Sequence, residues 1–533
     1  MKYSAHIFVF PFKWRTNINS KNTSFKHKVD ISKVKGEVES SRDWVPFSFE
    51  PKPEADYFNS YNEFVYFHDY ARDLLGISII KSPVGKGVLQ YEFDLFSKDN
   101  AKYIIEASEQ PDGPYELRIS SITLNFYESG TGVLAFHLLN EKHELYDDIL
   151  RINDFGRRLF PQFLGGKANV ENLLSSPQGV FLAKKLSLTG VKKEAIIEDF
   201  LHYADQERIK KAPFVMPRLI GELLGGAFIT EFDDATDGKI CLSPTLDDRM
   251  FIQCFVFNDD LIEKLSVYDE KEKCYAWEED NDWYRLIFVD GSKTPTIDSR
   301  NMKRELLKAS TYDRWVESKN KQGKASGHIF GISRYSFVIL ANRNWFTENI
   351  ALHHFSNLYF QMALLSLVQR VTVLSFSTEV AEIATNLDSA KRLSSRVINN
   401  IAELYLQYIN FIQKIYFREI TPQEQGIELY NIMQNRLGIK NDVEDLNREM
   451  SELNQFVEAQ QQKNISVITY VLLPATILLG FFGLNYFSSD ALYFDLTKQF
   501  VFSGSNFSSV VIIVLLTIFL SMLSSRLMQR FIR

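Results

Sequence analysis

From Asn464 to Ser489 the chain carries no charged side chain. The run exceeds the roughly 20 apolar residues that a helix needs to cross a bilayer, and its Leu, Ile, Val and Phe residues each favour insertion by about 0.3 to 0.6 kcal/mol near the bilayer centre. It predicts a membrane span over about 464–484. A second uncharged run, Gln499 to Ser525, has an almost wholly apolar core from Val510 to Leu523 and predicts another span over about 507–525. Lys463 precedes the first run, Arg526, Arg530 and Arg533 follow the second, and the connecting loop sets Asp490 and Asp495 against Lys498. By the positive-inside rule both termini are expected in the cytoplasm and the loop outside, giving a multi-pass protein of the cell inner membrane. Neither span contains Asp, Glu, Lys, Arg or His, so a proton relay or voltage sensor has no residues to work with.

The first span is not uniformly greasy. Gln462, Ile465, Thr469, Leu473, Thr476, Gly480 and Gly483 recur at helical spacing and form one stripe in which small and hydroxylated residues are prominent. Such a stripe has two readings, close helix packing or the lining of a wet path enclosed by several copies.

At the outer end of the same helix Pro474, Thr476, Gly480, Gly483, Leu484 and Asn485 stand at fixed distances. In this pattern the chain resembles the CorA family of divalent-cation channels, whose first membrane helix carries Pro-x-Thr-x-x-x-Gly-x-x-Gly-Met-Asn; only Met is replaced, by Leu484. The resemblance implies a funnel-shaped homopentamer in which Asn485 rings the outer mouth and contacts the metal ion through its water shell, while Gly483 frees backbone carbonyls. Such ligands suit magnesium, which dehydrates reluctantly. The zinc-transporting branch also departs from Met at this position, so zinc, cobalt and nickel stay open as the transported ion beside magnesium. The resemblance covers about the last 90 residues and the general stalk layout.

The remaining sequence predicts an α/β fold class for the cytoplasmic part, then a helical stalk and the two spans. In residues 1–169, strands are expected at Ile7 to Phe12, Val88 to Phe96, Tyr103 to Ala107, Glu116 to Tyr127 and Val133 to Leu138, with a turn at Glu128 to Gly132. Helices are expected at Tyr61 to Leu75 and along Ile149, Ile152, Phe155 and Leu159. The N-terminal run holds His6 and Pro11 and has no cleavage site, so it reads as a first strand and not as a signal peptide. In a second region, 170–342, Ile196, Ile197, Phe200 and Leu201 suggest a helical face, and Arg249 to Phe257 and Trp283 to Val289 suggest strands. The basic run Arg208, Lys210, Lys211, Arg218 and the acidic run Glu278, Glu279, Asp280, Asp282 are expected to be solvated; the latter lacks calcium-loop spacing. Gly331 to Phe337 reads as a plain edge strand, with an adenine-nucleotide contact through Arg334 and Tyr335 as the alternative. Cys241, Cys254 and Cys274 have no Cys-x-x-Cys spacing and read as reduced core residues.

Residues 343–463 are expected to form a helical bundle and stalk, followed by the pore domain 464–533. Ile350 to Gln369 is uncharged, but His353, His354, Ser356, Asn357 and Gln361 would need partners in lipid, so a bundle helix is expected there. Val397, Leu404, Phe411 and Ile401, Tyr408, Ile415 form two heptad tracks that stop at Thr421-Pro422. A last rod is expected from Gln423 to Phe482, roughly 90 Å at 1.5 Å per residue, with Gly438 as its one kink site.

The net charge of -7 argues against a nucleic-acid-binding protein. No nucleophile–base pair, metal cluster or phosphate loop appears at meaningful spacing, so an enzyme is the weakest reading. The soluble region is large for the CorA family, and that size together with Leu484 resembles the CRISPR-associated CorA-like branch. That likeness implies an antiviral effector gated by a modified adenine nucleotide. A non-conducting membrane-anchored ligand sensor is the alternative.

Overall fold

The computed structural model describes residues 2–17, 27–47, 63–76, 87–107, 113–159, 183–200, 216–230, 239–245, 249–291, 294–317, 326–389 and 395–486, with Gln110 and Phe519. They fall into two compact units, Met1–Asn447 and Arg448–Arg533. The first unit is a large α/β body followed by helices, and the expected second span at 507–525, Phe519 apart, lies outside the described residues.

The body is built on the strand Ser4–Asn17, longer than the expected Ile7 to Phe12. Its alternate side chains Phe8, Phe10, Phe12 and Trp14 are buried on one face, and Ala5, Ile7 and Val9 on the other. A strand buried on both faces must sit inside a sheet with layers above and below. On one edge it pairs with Thr131–Asn140, beyond which come Tyr115–Tyr127, Lys102–Glu106, Lys185–Thr189 and Ile196–Asp199. On the other edge lie Phe251–Phe257, Ser336–Ala341, Ser326–Ile332 and Thr311–Glu317. Strands from both sides of the 169/170 division expected from the sequence therefore join one sheet.

Pro11 inside this central strand is tolerated for a local reason. The Phe251–Phe257 partner ends opposite Val9, and the next partner, Ile240–Pro244, begins opposite Phe12. Trp14 donates its N–H to Gly130 O on the opposite edge at 2.8 Å, and strand alternation turns the Pro11 nitrogen toward that gap, where the ladder has no acceptor to lose.

Helices cover both faces. Tyr146–Gly156 lies over the Phe8 face, where Tyr103 donates its hydroxyl to Gly156 O at 2.8 Å. His6 is fully buried between Ser4 and Asn153, with ring nitrogens 2.8 Å from Ser4 Oγ and 2.7 Å from Asn153 Oδ1. The helix Phe360–Ser389 covers the other face, and Thr372 Oγ1 lies 2.9 Å from Thr131 Oγ1. The segment Thr347–Thr385 passes a length and hydropathy test for a membrane span at mean hydropathy 1.3, yet 83% of its apolar window is buried inside the protein. It is a core helix, as its polar residues require.

Several local expectations are corrected. Ile196–Asp199 is a strand and not a helix: Ile196 is buried, Ile197 is 41% exposed and Glu198 is buried, a period of two. Trp283 to Val289 is helical instead of extended. Asp280 caps Asn281–Phe288 by accepting from the Asp282 and Trp283 amides, and Trp283, Tyr284, Leu286 and Ile287 bury one face. The helix expected from Tyr61 to Leu75 is interrupted before Asp69–Leu75, where the His68 amide turns to Ile420 O at 2.9 Å.

At the other end of the body, Ile401, Leu404, Tyr408 and Phe411 are buried along Ser395–Lys414, and Ile415 is buried just after it. The helix Glu424–Arg436 begins next to Gln423 as expected, but the rod does not run on: Gly438 takes φ +75° and a new helix, Ile439–Tyr486, begins after it. A left-handed residue ends an α-helix outright, so Gly438 makes a break and not a kink.

Gly132 lies opposite Phe12, and a Cβ there would sit 2.2 Å from the Phe12 ring. Gly132→Ala is expected to cost about 1–3 kcal/mol by overpacking, read as a lowered midpoint in denaturant, whereas Gly36→Ala, where a Cβ meets nothing within 4 Å, should not.

Candidate functional site

Three places carry chemistry. The first is the stripe. All of Gln462, Ile465, Thr469, Leu473, Thr476, Gly480 and Gly483 lie on the single helix Ile439–Tyr486, which also includes Pro474, Leu484 and Asn485. Pro474 has no N–H for the carbonyl of Tyr470, so one rung of the helix is missing there. Gln462 and Thr476 are exposed. At about 100° per residue the seven stripe positions fall within roughly 60° of Gln462, but position 485 falls about 140° away. Because the helix continues to Tyr486, Asn485 is placed off the stripe's side.

The second place gathers arginines. Arg334 and Tyr335 sit not within a strand but in the turn between Ser326–Ile332 and Ser336–Ala341. Ser333 makes the turn, its hydroxyl oxygen accepting from the Tyr335 and Ser336 amides at 3.1 Å each. The Tyr335 ring lies 5.0 Å from the Arg249 guanidinium and 5.8 Å from that of Arg157. Arg334 reaches the break between the last two helices: its Nη2 is 3.7 Å from where a Cβ on Gly438 would stand, and Asp442 Oδ2 is 3.6 Å from the same point. Arg370 donates from Nη1 to Leu437 O. Burial, then the Arg334 charge, holds Arg370 below its ordinary pKa, and burial and Arg334 do the same to Arg436. Arg370 and Arg436 went unrecognised in the sequence; the one local signal is that Arg370 ends the uncharged run from Ile350.

The third place is a cavity of about 220 Å³ between the sheet and the start of the long helix, lined by Glu63, Thr123, Asn125, His137, Asn357 and Gln361 among others. The helix start is π-helical at Thr347–Ala351 and Phe355–Tyr359, and such wide turns are common at binding sites. Asn357 and Gln361, polar residues that argued against a membrane span, face this cavity. Burial alone raises the Glu63 carboxyl from 4.5 to about 7 and lowers His137 to about 4.

The other sequence candidates are satisfied structurally. In the acidic run, Lys264 bridges Asp280 and Asp282 at 2.7 and 3.0 Å, Lys308 pairs with Glu278 at 3.0 Å and Arg300 with Glu279 at 2.7 Å, so the carboxylates are ion-paired and not merely solvated. Arg218 pairs with Glu222, and Arg208, Lys210 and Lys211 lie outside the described residues. Cys254 and Cys274 are buried and Cys241 half-buried, all as free thiols. No cluster of three or more His, Cys, Asp or Glu fit to hold a metal occurs among the described residues.

No protein family's sequence model matches the chain, and no curated protein matches it either.

Glu63 gives a pH signature. The folded state keeps its proton to about pH 7 while the unfolded state loses it near 4.5, so this residue's contribution to stability falls as pH rises through that window. His6 and His137, lowered to about 4, act in the opposite direction between about 4 and 6.5. The difference in melting temperature between Glu63→Gln and wild type should accordingly grow in the variant's favour from pH 5 to 7.5; a constant difference would place Glu63 in water.

Proposed function

We propose that the chain is a CorA-like divalent-cation channel, a homopentamer of the inner membrane with both termini in the cytoplasm. The observation that carries the reading is the six-position motif Pro474, Thr476, Gly480, Gly483, Leu484 and Asn485 together with the small-residue stripe on one uninterrupted helix, Ile439–Tyr486. Around a central axis, five copies of the stripe would line the path. Leu473 and Ile465 form a hydrophobic constriction that dewets when closed, and Thr469, Thr476 and Gln462 offer oxygen atoms to hydrated ions. Asn485, once the last turn opens beyond Gly483, supplies the outer ring, where amide oxygens hold magnesium, or zinc, cobalt or nickel, through the water shell.

The size of the α/β body supports a sensing role, and the antiviral reading, an effector gated by a modified adenine nucleotide, follows from the CRISPR-associated branch that the chain resembles. The alternative, a non-conducting anchored ligand sensor, keeps the body and discards the path. It is favoured by the arginine cluster and the polar cavity, which are binding features with no part in conduction.

Flux of magnesium, zinc, cobalt and nickel into dye-loaded liposomes separates the two. Wild type should pass at least one of these ions, and Asn485→Ala should lose selectivity or uptake while still assembling; unchanged transport in that variant removes the ring from the mechanism. Leu473→Ala should raise the resting leak severalfold by widening and wetting the constriction, and an unaltered leak would put the gate elsewhere.

A further inference from the structure

Several arginines elsewhere in this body are ion-paired. Arg118 meets Glu141 at 3.1 Å, Arg300 meets Glu279 at 2.7 Å, and Arg314 reaches Glu424 and Glu428 at 3.1 and 2.8 Å. The cluster at the helix break departs from that pattern. Arg334 is exposed at its turn and makes no hydrogen bond or ion pair among the described residues. Arg436, the last residue of its helix, has a buried Nε with no hydrogen-bond partner among them. Arg370 spends Nη1 on the terminal carbonyl of Leu437 and forms no ion pair among them. Asp442 is the nearby carboxylate, and it too lies outside ion-pair distance of any described base. Arg334 and Asp442 thus approach Gly438, Arg370 is tied to the adjoining Leu437 carbonyl, and Arg436 stands two residues before the break, where the first amides of Ile439–Tyr486 are also directed outward from the helix start.

Gathering like charges around a half-buried point costs stability, and a bound anion with more than one negative charge would recover it. Guanidinium forks match phosphate oxygens in shape and charge, and helix-start amides add donors of the same sign. We propose that the break between Glu424–Arg436 and Ile439–Tyr486 is a binding site for a phosphate-bearing small molecule, held by Arg334, Arg370 and Arg436 and opposed by Asp442. One phosphate group sits over Gly438 between Arg334 and Arg436, and a second charged oxygen set meets Arg370. The proposal stands independently of ion conduction, because it uses only residues of the first unit.

Isothermal titration of the full chain in detergent with ATP, inorganic pyrophosphate and dioctanoyl phosphatidate tests it. At least one probe should bind saturably, with affinity falling as salt rises. Arg334→Gln and Arg436→Gln should each weaken that binding about tenfold or more, Asp442→Asn should tighten it, and Arg118→Gln should leave it unchanged. Preference for ATP or pyrophosphate assigns a soluble phosphate, and preference for phosphatidate a lipid headgroup. No saturable binding of any probe, or binding indifferent to Arg334→Gln and Arg436→Gln in variants that melt like wild type, overturns the site.

Discussion

The α/β body hangs on the burial of both faces of Ser4–Asn17. Full burial of each of its large apolar side chains is worth about 1.5–3 kcal/mol, and none of that is gained unless every backbone group along the strand finds a partner. Both edges are accordingly paired, one continuously by Thr131–Asn140 and the other in two instalments by Phe251–Phe257 and Ile240–Pro244. Pro11 falls where the second edge changes partner. The same demand draws residues more than two hundred positions apart into one sheet and fixes where the long helix Phe360–Ser389 must lie, over the Ile7 and Val9 face.

That helix links the core to the places where chemistry gathers. Its start, with the π-helical turns, walls the cavity holding Glu63 and His137. Further along, Arg370 leaves the apolar interior and reaches Leu437 at the helix break. At an effective dielectric of about 20, two like charges about 8 Å apart repel by about 2 kcal/mol, so a cluster such as Arg334, Arg370 and Arg436 persists against a standing cost. The rigid turn built by Ser333 presents Arg334 to that cluster, and the left-handed Gly438 leaves room for it.

Legibility in the sequence followed the range of the forces involved. Ser4–Asn17, Thr131–Asn140 and the Glu128–Gly132 turn were readable because alternation and turn chemistry are local. The stripe from Gln462 to Gly483 was readable for the same reason, since one helix contains all of it. Trp283 to Val289 misled because an aromatic and β-branched run suits either state, and the Asp280 cap decided the matter. Ile196–Asp199 misled because four residues are too few to separate a period of two from one of 3.6. The arginine cluster was half legible: Arg334 and Tyr335 stood out, but Arg370 and Arg436 meet Arg334 only through tertiary contacts that no spacing encodes.

The central claim is that identical copies of Ile439–Tyr486 enclose a wet axis with their stripes turned inward. Electron cryomicroscopy of the full chain in lipid nanodiscs tests this most directly. The account predicts a fivefold particle in which Gln462, Thr469, Thr476 and Gly480 face a continuous central channel and Asn485 encircles its outer end. A particle with two copies and no central opening, or a fivefold one with these residues facing lipid, would contradict it.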